Sequence, residues 1–220
     1  MADKLQILYE DRDLVACVKP VGFSSQEDMP AHLQAQMGIS KAIHCVHRLD
    51  TAVGGVMVYA RHRDAAAALS RTIAEGRMEK RYFAVCAGCP DPPRGMMRDL
   101  LFKDANKNKS YVVTRMRKGV REAVLAYRVL QAAEAASLVE IQLDTGRSHQ
   151  IRVQFASRKH PLLGDVKYGS ARKDCGIALW CCCLALPHPK RQTELKFTCP
   201  PPSVPPWASF SIGVDCDAEL

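Results

Sequence analysis

Short apolar runs alternate with clusters of turn residues along the chain, and each run predicts one element. Leu5 to Tyr9 and Leu14 to Lys19 predict two strands joined by the turn Glu10-Asp11-Arg12-Asp13. Lys19-Pro20-Val21-Gly22 ends the second, because proline lacks an N–H and glycine permits a tight reversal. Pro30 to Met37 predicts a short helix closed by Gly38. Val56 to Ala60, apolar throughout, predicts a buried strand. A clear helix follows, capped by Asp64, with Leu69 and Ile73 on one face and Gly76 as its stop. Arg81 to Ala87 returns to strand character.

The Pro/Gly-rich segment Cys89 to Gly95 marks a change of subregion without forming a domain linker. Arg98 to Arg121 reads as a charged hairpin. Glu122 to Leu130 and Leu138 to Leu143 predict paired strands, and Ser148 starts a short helix with Ile151 and Phe155 on one face. Ile177 to Leu186 and Thr193 to Thr198 predict closing strands before Pro200-Pro201-Pro202. No internal repeat or low-complexity tract interrupts this order.

Composition narrows the class. A chain of 220 residues suits a single domain, residues 1–220, of two subdomains sharing one sheet. A hydrophobic share of 47% with 25% charged residues is that of a globular protein. The formal charge of +8 favours a polyanionic partner, since each phosphate neutralised by Lys or Arg releases condensed counterions. The first residues lack the apolar core of a signal peptide and no run is long enough to span a membrane, so a cytoplasmic protein without a membrane partner is expected. Ten cysteines raise a zinc reading, with Cys86-x-x-Cys89 as half a site and Cys181-Cys182-Cys183 as the rest. Adjacent cysteines in a strand point to opposite faces, so buried, reduced thiols and no metal are expected.

Four segments carry polar chemistry. His47-Arg48-Leu49-Asp50, before Gly54-Gly55, sets a carboxylate beside a cation, and alone it reads as a surface ion pair. In Lys80-Arg81-Tyr82 strand alternation puts Lys80 and Tyr82 on one face, a cation with an aromatic ring. In the run from Asp144 to Arg152 a strand meets a glycine turn and a helix start, where anions are attracted. Surface capping accounts for Ser148 but not for Arg147, His149, Gln150 and Arg152 together. His160-Pro161-Leu162-Leu163-Gly164-Asp165 with Lys167-Tyr168-Gly169 reads as a turn-rich loop.

Together these segments, in this order, resemble the RluA-type family of RNA pseudouridine synthases: His47-Arg48-Leu49-Asp50, Lys80-x-Tyr82, Thr145 to Arg152, and Pro161-x-x-Gly164-Asp165. Lys19-Pro20-x-Gly22 matches the family's N-terminal motif, and the likeness reaches from the first strands to about Pro200. The resemblance implies the pseudouridine synthase catalytic fold, mixed α/β (α+β), with a long, mainly antiparallel central sheet flanked by helices and loops. It implies isomerisation of a specific uridine in ribosomal or transfer RNA to pseudouridine, with no cofactor. Asp50 matches the catalytic aspartate, Tyr82 the tyrosine stacking on the target base, and Arg152 the arginine pairing with the catalytic carboxylate. Arg48 matches a residue that fills the gap left by the flipped nucleotide, and Leu179 an apolar position of the base pocket. His47, Lys80, Arg147, His149 and Gln150 join the implied RNA contacts.

Where the family often has Thr-Ser-Gly after its aspartate motif, this chain has Val53-Gly54-Gly55, and Trp180 stands where histidine is common. With no appended RNA-binding domain expected, grip on RNA falls to Lys107, Lys109, Arg115 and Arg117 of the basic hairpin. A monomer is expected. Two other readings stand at this point: a catalytically inactive RNA-binding protein on the same scaffold, and a metal-dependent nuclease, which lacks an evident acidic cluster. Whether Asp50 attacks C1′ or removes a C2′ proton is open.

Overall fold

The computed structural model describes residues 4–214 as a mixed α+β fold dominated by sheet. In chain order the elements are β1 (Ile7–Glu10), β2 (Leu14–Lys19), α1 (Asp28–Met37), β3 (His44–Cys45), β4 (Gly54–Ala60), α2 (Arg63–Ala74), β5 (Glu79–Ala87) and β6 (Arg94–Asp104). There follow β7 (Lys109–Val113), β8 (Val120–Ala132), β9 (Ala136–Leu143), α3 (Gln150–Ser157), a 3-10 turn at Val166–Tyr168, β10 (Leu179–Pro187) and β11 (Glu194–Thr198). The chain divides into two compact units, Met1–Lys80 with Trp180–Pro201, and Arg81–Leu179 with Pro202–Leu220. No helix among the described residues is long and apolar enough to cross a membrane.

In the first unit the strand order is β1-β2-β4-β10, with β3 beside β4 and β11 beside β10; all these pairs are antiparallel except β4 with β10. The apolar run predicted at Val56 to Ala60 is the inner strand β4, buried along its whole length. Helix α2 lays Ala65 and Leu69 inward. Its cap differs from expectation: the His62 ring, not Asp64, accepts the Ala65 N–H, at 3.2 Å. Asp13 holds that ring from the other side at 2.9 Å. A neutral imidazole nitrogen offers the same lone pair as a Ser or Asp oxygen, so the cap lies nearer the start of the chain than Asp64.

The second unit orders its strands β5-β9-β8-β6-β7, all antiparallel, around a core that includes Phe83, Leu125, Leu138, Ile141 and Phe155. Helix α3 starts at Gln150 rather than Ser148. His149 at its N-cap is left-handed (φ 53°) and gives no side-chain cap. The Gln150 amide oxygen instead closes the preceding turn, accepting from the Arg147 N–H at 3.0 Å and the Thr145 hydroxyl at 2.8 Å. Cys17 and Cys86 are buried, and burial pushes both thiols up to about 12. Cys216 lies outside the described residues.

Candidate active site

The turn carrying Asp50 is held through its neighbours on both sides. Buried Leu49 has both main-chain groups on one hydroxyl: Ser25 Oγ donates to its carbonyl at 2.9 Å and accepts its N–H at 3.1 Å. Tyr59 in β4 fixes that serine in turn, its hydroxyl donating to the Ser25 carbonyl at 3.0 Å. On the other side Lys19, with no exposed surface, aims its ammonium at the carbonyls of Pro20 (2.9 Å), Phe23 (2.8 Å) and Thr51 (3.3 Å). Burial pulls Lys19 down to about 8, and the Asp50 and Asp28 carboxylates partly restore it. The Val53 N–H closes the turn on the Asp50 carbonyl at 2.9 Å, leaving Asp50 itself half-buried. Every bond in this set acts on main chain, which fixes the position of the acid before any ligand arrives.

Behind the turn, Gly54 and Gly55 pair with Trp180 and Cys181 across the parallel β4–β10 ladder. A Cβ on Gly54 would lie 2.3 Å from the Trp180 ring, and one on Gly55 2.3 Å from the Cys181 carbonyl, where φ is already +125°. Trp180 is anchored by its indole N–H on the Cys199 carbonyl at 3.0 Å. The two departures from the family pattern are thus one packing unit: the indole occupies the space that a side chain at position 54 would need.

Arg152, on α3 in the second unit, is 5% exposed. Its Nε and Nη2 donate to the two oxygens of Asp165 at 2.6 and 2.9 Å, a fork-on-fork pair that fixes the guanidinium plane. Asp165 is itself buried, its main chain closing the loop with Tyr168 and Ser170. The resemblance singles out Arg152; Asp165, its partner in the Pro161-x-x-Gly164-Asp165 motif, carries no role there. Tyr82 is buried in β5, paired with Ile141 of β9.

The expected RNA contacts fall into two kinds. Arg48 is exposed beside the Asp50 turn and reaches Gln26 at 3.4 Å. Arg147 is exposed, its Nε donating to the Glu122 carbonyl at 2.8 Å. Lys107, Arg115 and Arg117 are exposed on the hairpin side of the second unit, and Lys109 is half-buried. Two of the expected contacts bond within the fold. The His47 ring is buried and accepts the Val58 N–H at 3.1 Å; burial, helped by the Lys80 charge, lowers it to about 3, so it is neutral and serves the turn instead of a phosphate. Gln150 is 3% exposed and spends its amide on Thr145, Arg147 and the Val124 carbonyl. Lys80 is half-buried, and burial lowers its pKa. Leu179 is buried at the start of β10.

Among the described residues, Asp11, Asp13 and His188 stand close enough to hold a metal ion. They already bond one another and the protein: Asp11 Oδ2 accepts from Tyr9 (2.7 Å), His188 (2.7 Å) and Arg191 (3.0 Å). His188 Nδ1 accepts two backbone N–H groups, which makes Nε2 its donor and spends both ring nitrogens. The cluster staples the β1–β2 turn to the segment after β10.

The sequence profile described as RNA pseudouridylate synthase matches residues 13–157. Over 182 residues the chain is 33% identical to a Mycobacterium bovis protein named as an uncharacterized RNA pseudouridine synthase, covering 77% of this chain and 58% of that one. It is 32% identical over 186 residues to ribosomal large subunit pseudouridine synthase D of Zymomonas mobilis, covering 77% and 57%. Among solved structures, human RNA pseudouridylate synthase domain containing 4 superposes with a TM-score of 0.76 at 26% identity, over 90% of this chain and 88% of that one. The chain therefore spans under three fifths of the length of these two curated relatives.

Proposed function

Because the chain belongs to the RNA pseudouridylate synthase family, in its RluA-type branch, we propose that it converts a specific uridine in ribosomal or transfer RNA to pseudouridine, with Asp50 as the catalytic acid. The reaction exchanges the N1–C1′ bond for a C5–C1′ bond, and the hydrogen lost from C5 is balanced by one gained at N1. Atoms and oxidation state are conserved, so the chemistry asks for no co-substrate. A base stacked in RNA cannot meet a carboxylate; extruding it costs a few kcal/mol, offset by pocket contacts. In this reading Tyr82 stacks on the extruded base, a contact worth about 1–3 kcal/mol in single-strand binders. Arg152 gives two N–H groups to Asp165, and in the same reading its guanidinium also pairs with the Asp50 carboxylate. Arg48 fills the vacated place in the RNA, and Leu179 lines the base pocket. Arg147, His149 and Lys80, with Lys107, Lys109, Arg115 and Arg117 of the hairpin, supply contacts to the RNA.

The observation that carries this reading is the Asp50 turn. A surface ion pair has no use for a fully buried lysine, a buried serine and a buried histidine all spent on the main chain around one carboxylate. The test is to map pseudouridine in cellular RNA with and without the gene, then restore the gene as wild type or Asp50→Asn. Wild type restores the lost sites and the variant does not. If wild type restores no site in any RNA, the reading fails.

A further inference from the structure

Strand β7 is the terminal strand of the second unit and pairs with β6 alone within that unit. A sheet edge of this kind carries unspent N–H and C=O groups. At Ser110, 2% exposed, both are met by one side chain from a distant part of the chain. The Ser110 N–H donates to the Tyr168 hydroxyl oxygen at 2.8 Å, and that hydroxyl lies 3.2 Å from the Ser110 carbonyl in donor geometry. Tyr168 thus does for one residue of β7 what a further strand would do.

Further links run to the same place. The Ser110 hydroxyl donates to the Ser148 carbonyl at 2.6 Å, tying β7 to the turn that starts α3. Lys167 Nζ donates to the carbonyl of Asn108, which sits left-handed (φ 44°) in the β6–β7 turn. The Tyr168 ring packs with Leu101, Ala123 and Val153. Lys109 Nζ lies 5.1 Å and the Arg152 guanidinium 5.2 Å from its centroid. The His149 ring meets Tyr168 edge-on at 5.7 Å, with Nδ1 3.0 Å from the hydroxyl. One side chain touches the hairpin, the residue before α3 and the arginine of α3.

We propose that Tyr168 is a positioning residue for RNA binding, its hydroxyl latching the basic β6–β7 hairpin to the turn and helix start that carry Arg147, His149 and Arg152. The inference rests on the RNA reading above. A hairpin held this way presents Lys107 and Lys109 in fixed register with the cations around α3, so less ordering remains to be done when RNA binds. Burial raises the Tyr168 pKa, which keeps the proton the latch requires. The ring packing and both cation contacts do not need the hydroxyl, so Tyr168→Phe cuts the latch and leaves every charge in place.

The test uses the full chain, amide hydrogen exchange, and salt titrations of binding to transcribed, unmodified large-subunit ribosomal RNA. In Tyr168→Phe the Ser110 amide exchanges faster, RNA affinity falls about five- to tenfold, and the slope of log affinity against log salt is unchanged because every phosphate keeps its cation. Exchange that does not respond overturns the proposal, as does faster exchange with unchanged affinity. If Tyr168→Phe fails to fold, Ser110→Ala takes its place; it cuts the link to Ser148 without altering charge. It must weaken RNA binding at constant salt slope, and unchanged affinity overturns the proposal. A wild type that does not bind RNA defeats the RNA reading itself and this inference with it; a wild type and variant that bind equally defeat only the latch.

Discussion

The turn that carries Asp50 and the side chain of Arg152 on α3 are held by different bonds. Around Asp50, Ser25, Lys19 and His47 bond to the main chain of neighbouring residues. Around Arg152, the charged group itself is gripped by the Asp165 carboxylate. The difference follows from what each residue must do. Bonds to neighbouring main chain place the backbone of the acid, and a fork-on-fork pair fixes the plane of an arginine whose task is to orient. Rigidity at the acid is delivered through the backbone, and at the arginine through an ion pair.

The largest effect is expected at the ion pair. Asp165→Asn takes from a buried guanidinium the carboxylate it grips with two N–H groups and should cost up to about 3–5 kcal/mol in denaturant unfolding. Replacing both partners, Arg152→Met with Asp165→Leu, should recover much of that stability and none of the activity. The two variants together separate the structural share of the pair from its proposed chemical share.

Next in size is the packing behind the Asp50 turn. Gly54→Ser drives a side chain into the Trp180 ring and should destabilise by about 1–3 kcal/mol. Trp180→Leu in the same chain should relieve a large part of that penalty, because the two positions share one space. Additive losses in thermal unfolding would show that the positions are independent.

Lys19 supplies a pH signature. Its ordinary value is 10.5, and in the fold it titrates at about 8. Between these values the unfolded chain holds a proton that the fold has shed, so rising pH stabilises the fold at this site. The same deprotonation leaves fewer N–H donors for three carbonyls and loosens the Asp50 turn. Turnover at saturating RNA should therefore decline as pH rises through about 8, with no parallel drop in thermal stability from this group. Turnover that stays flat well above that value would remove Lys19 from the control of the turn.

The mildest test concerns the hairpin. Neutralising Lys107, Lys109, Arg115 and Arg117 together should weaken RNA binding and flatten the salt dependence, by about 0.7–0.9 in slope for each phosphate left without its cation. An unchanged slope would take the hairpin out of the interface.

Periodicity and turn chemistry make the framework legible. Val56 to Ala60 reads as a buried strand from its unbroken apolarity, and Gly38 as a helix stop, because both signals are local. Local signals misplace the start of α3: Ser148 is a standard cap, and nothing nearby says that Gln150 turns back to close the loop. Ser25 is indistinguishable from Ser24 in sequence, yet one is buried on Leu49 and the other bonds exposed amides nearby. Lys19 stands in a recognised motif, but lysine is so rarely buried that its inward aim is not a sequence-level expectation. His47 shows the converse: the resemblance sets it among the RNA contacts, and only the fold shows β4 using its lone pair at the Val58 N–H. What sequence lacks in each case is the identity of a partner that only the fold brings near.

Whether the held acid at Asp50 performs an isomerisation is decided by purified protein, wild type or Asp50→Asn, incubated with unmodified RNA and scored for pseudouridine at single-nucleotide resolution. Wild type should convert defined uridines, Asp50→Asn should lose at least about 10²-fold in rate, and the two should bind RNA with the same affinity. Equal pseudouridine formation by the two proteins would refute a catalytic Asp50, as would equal binding with no modification by either.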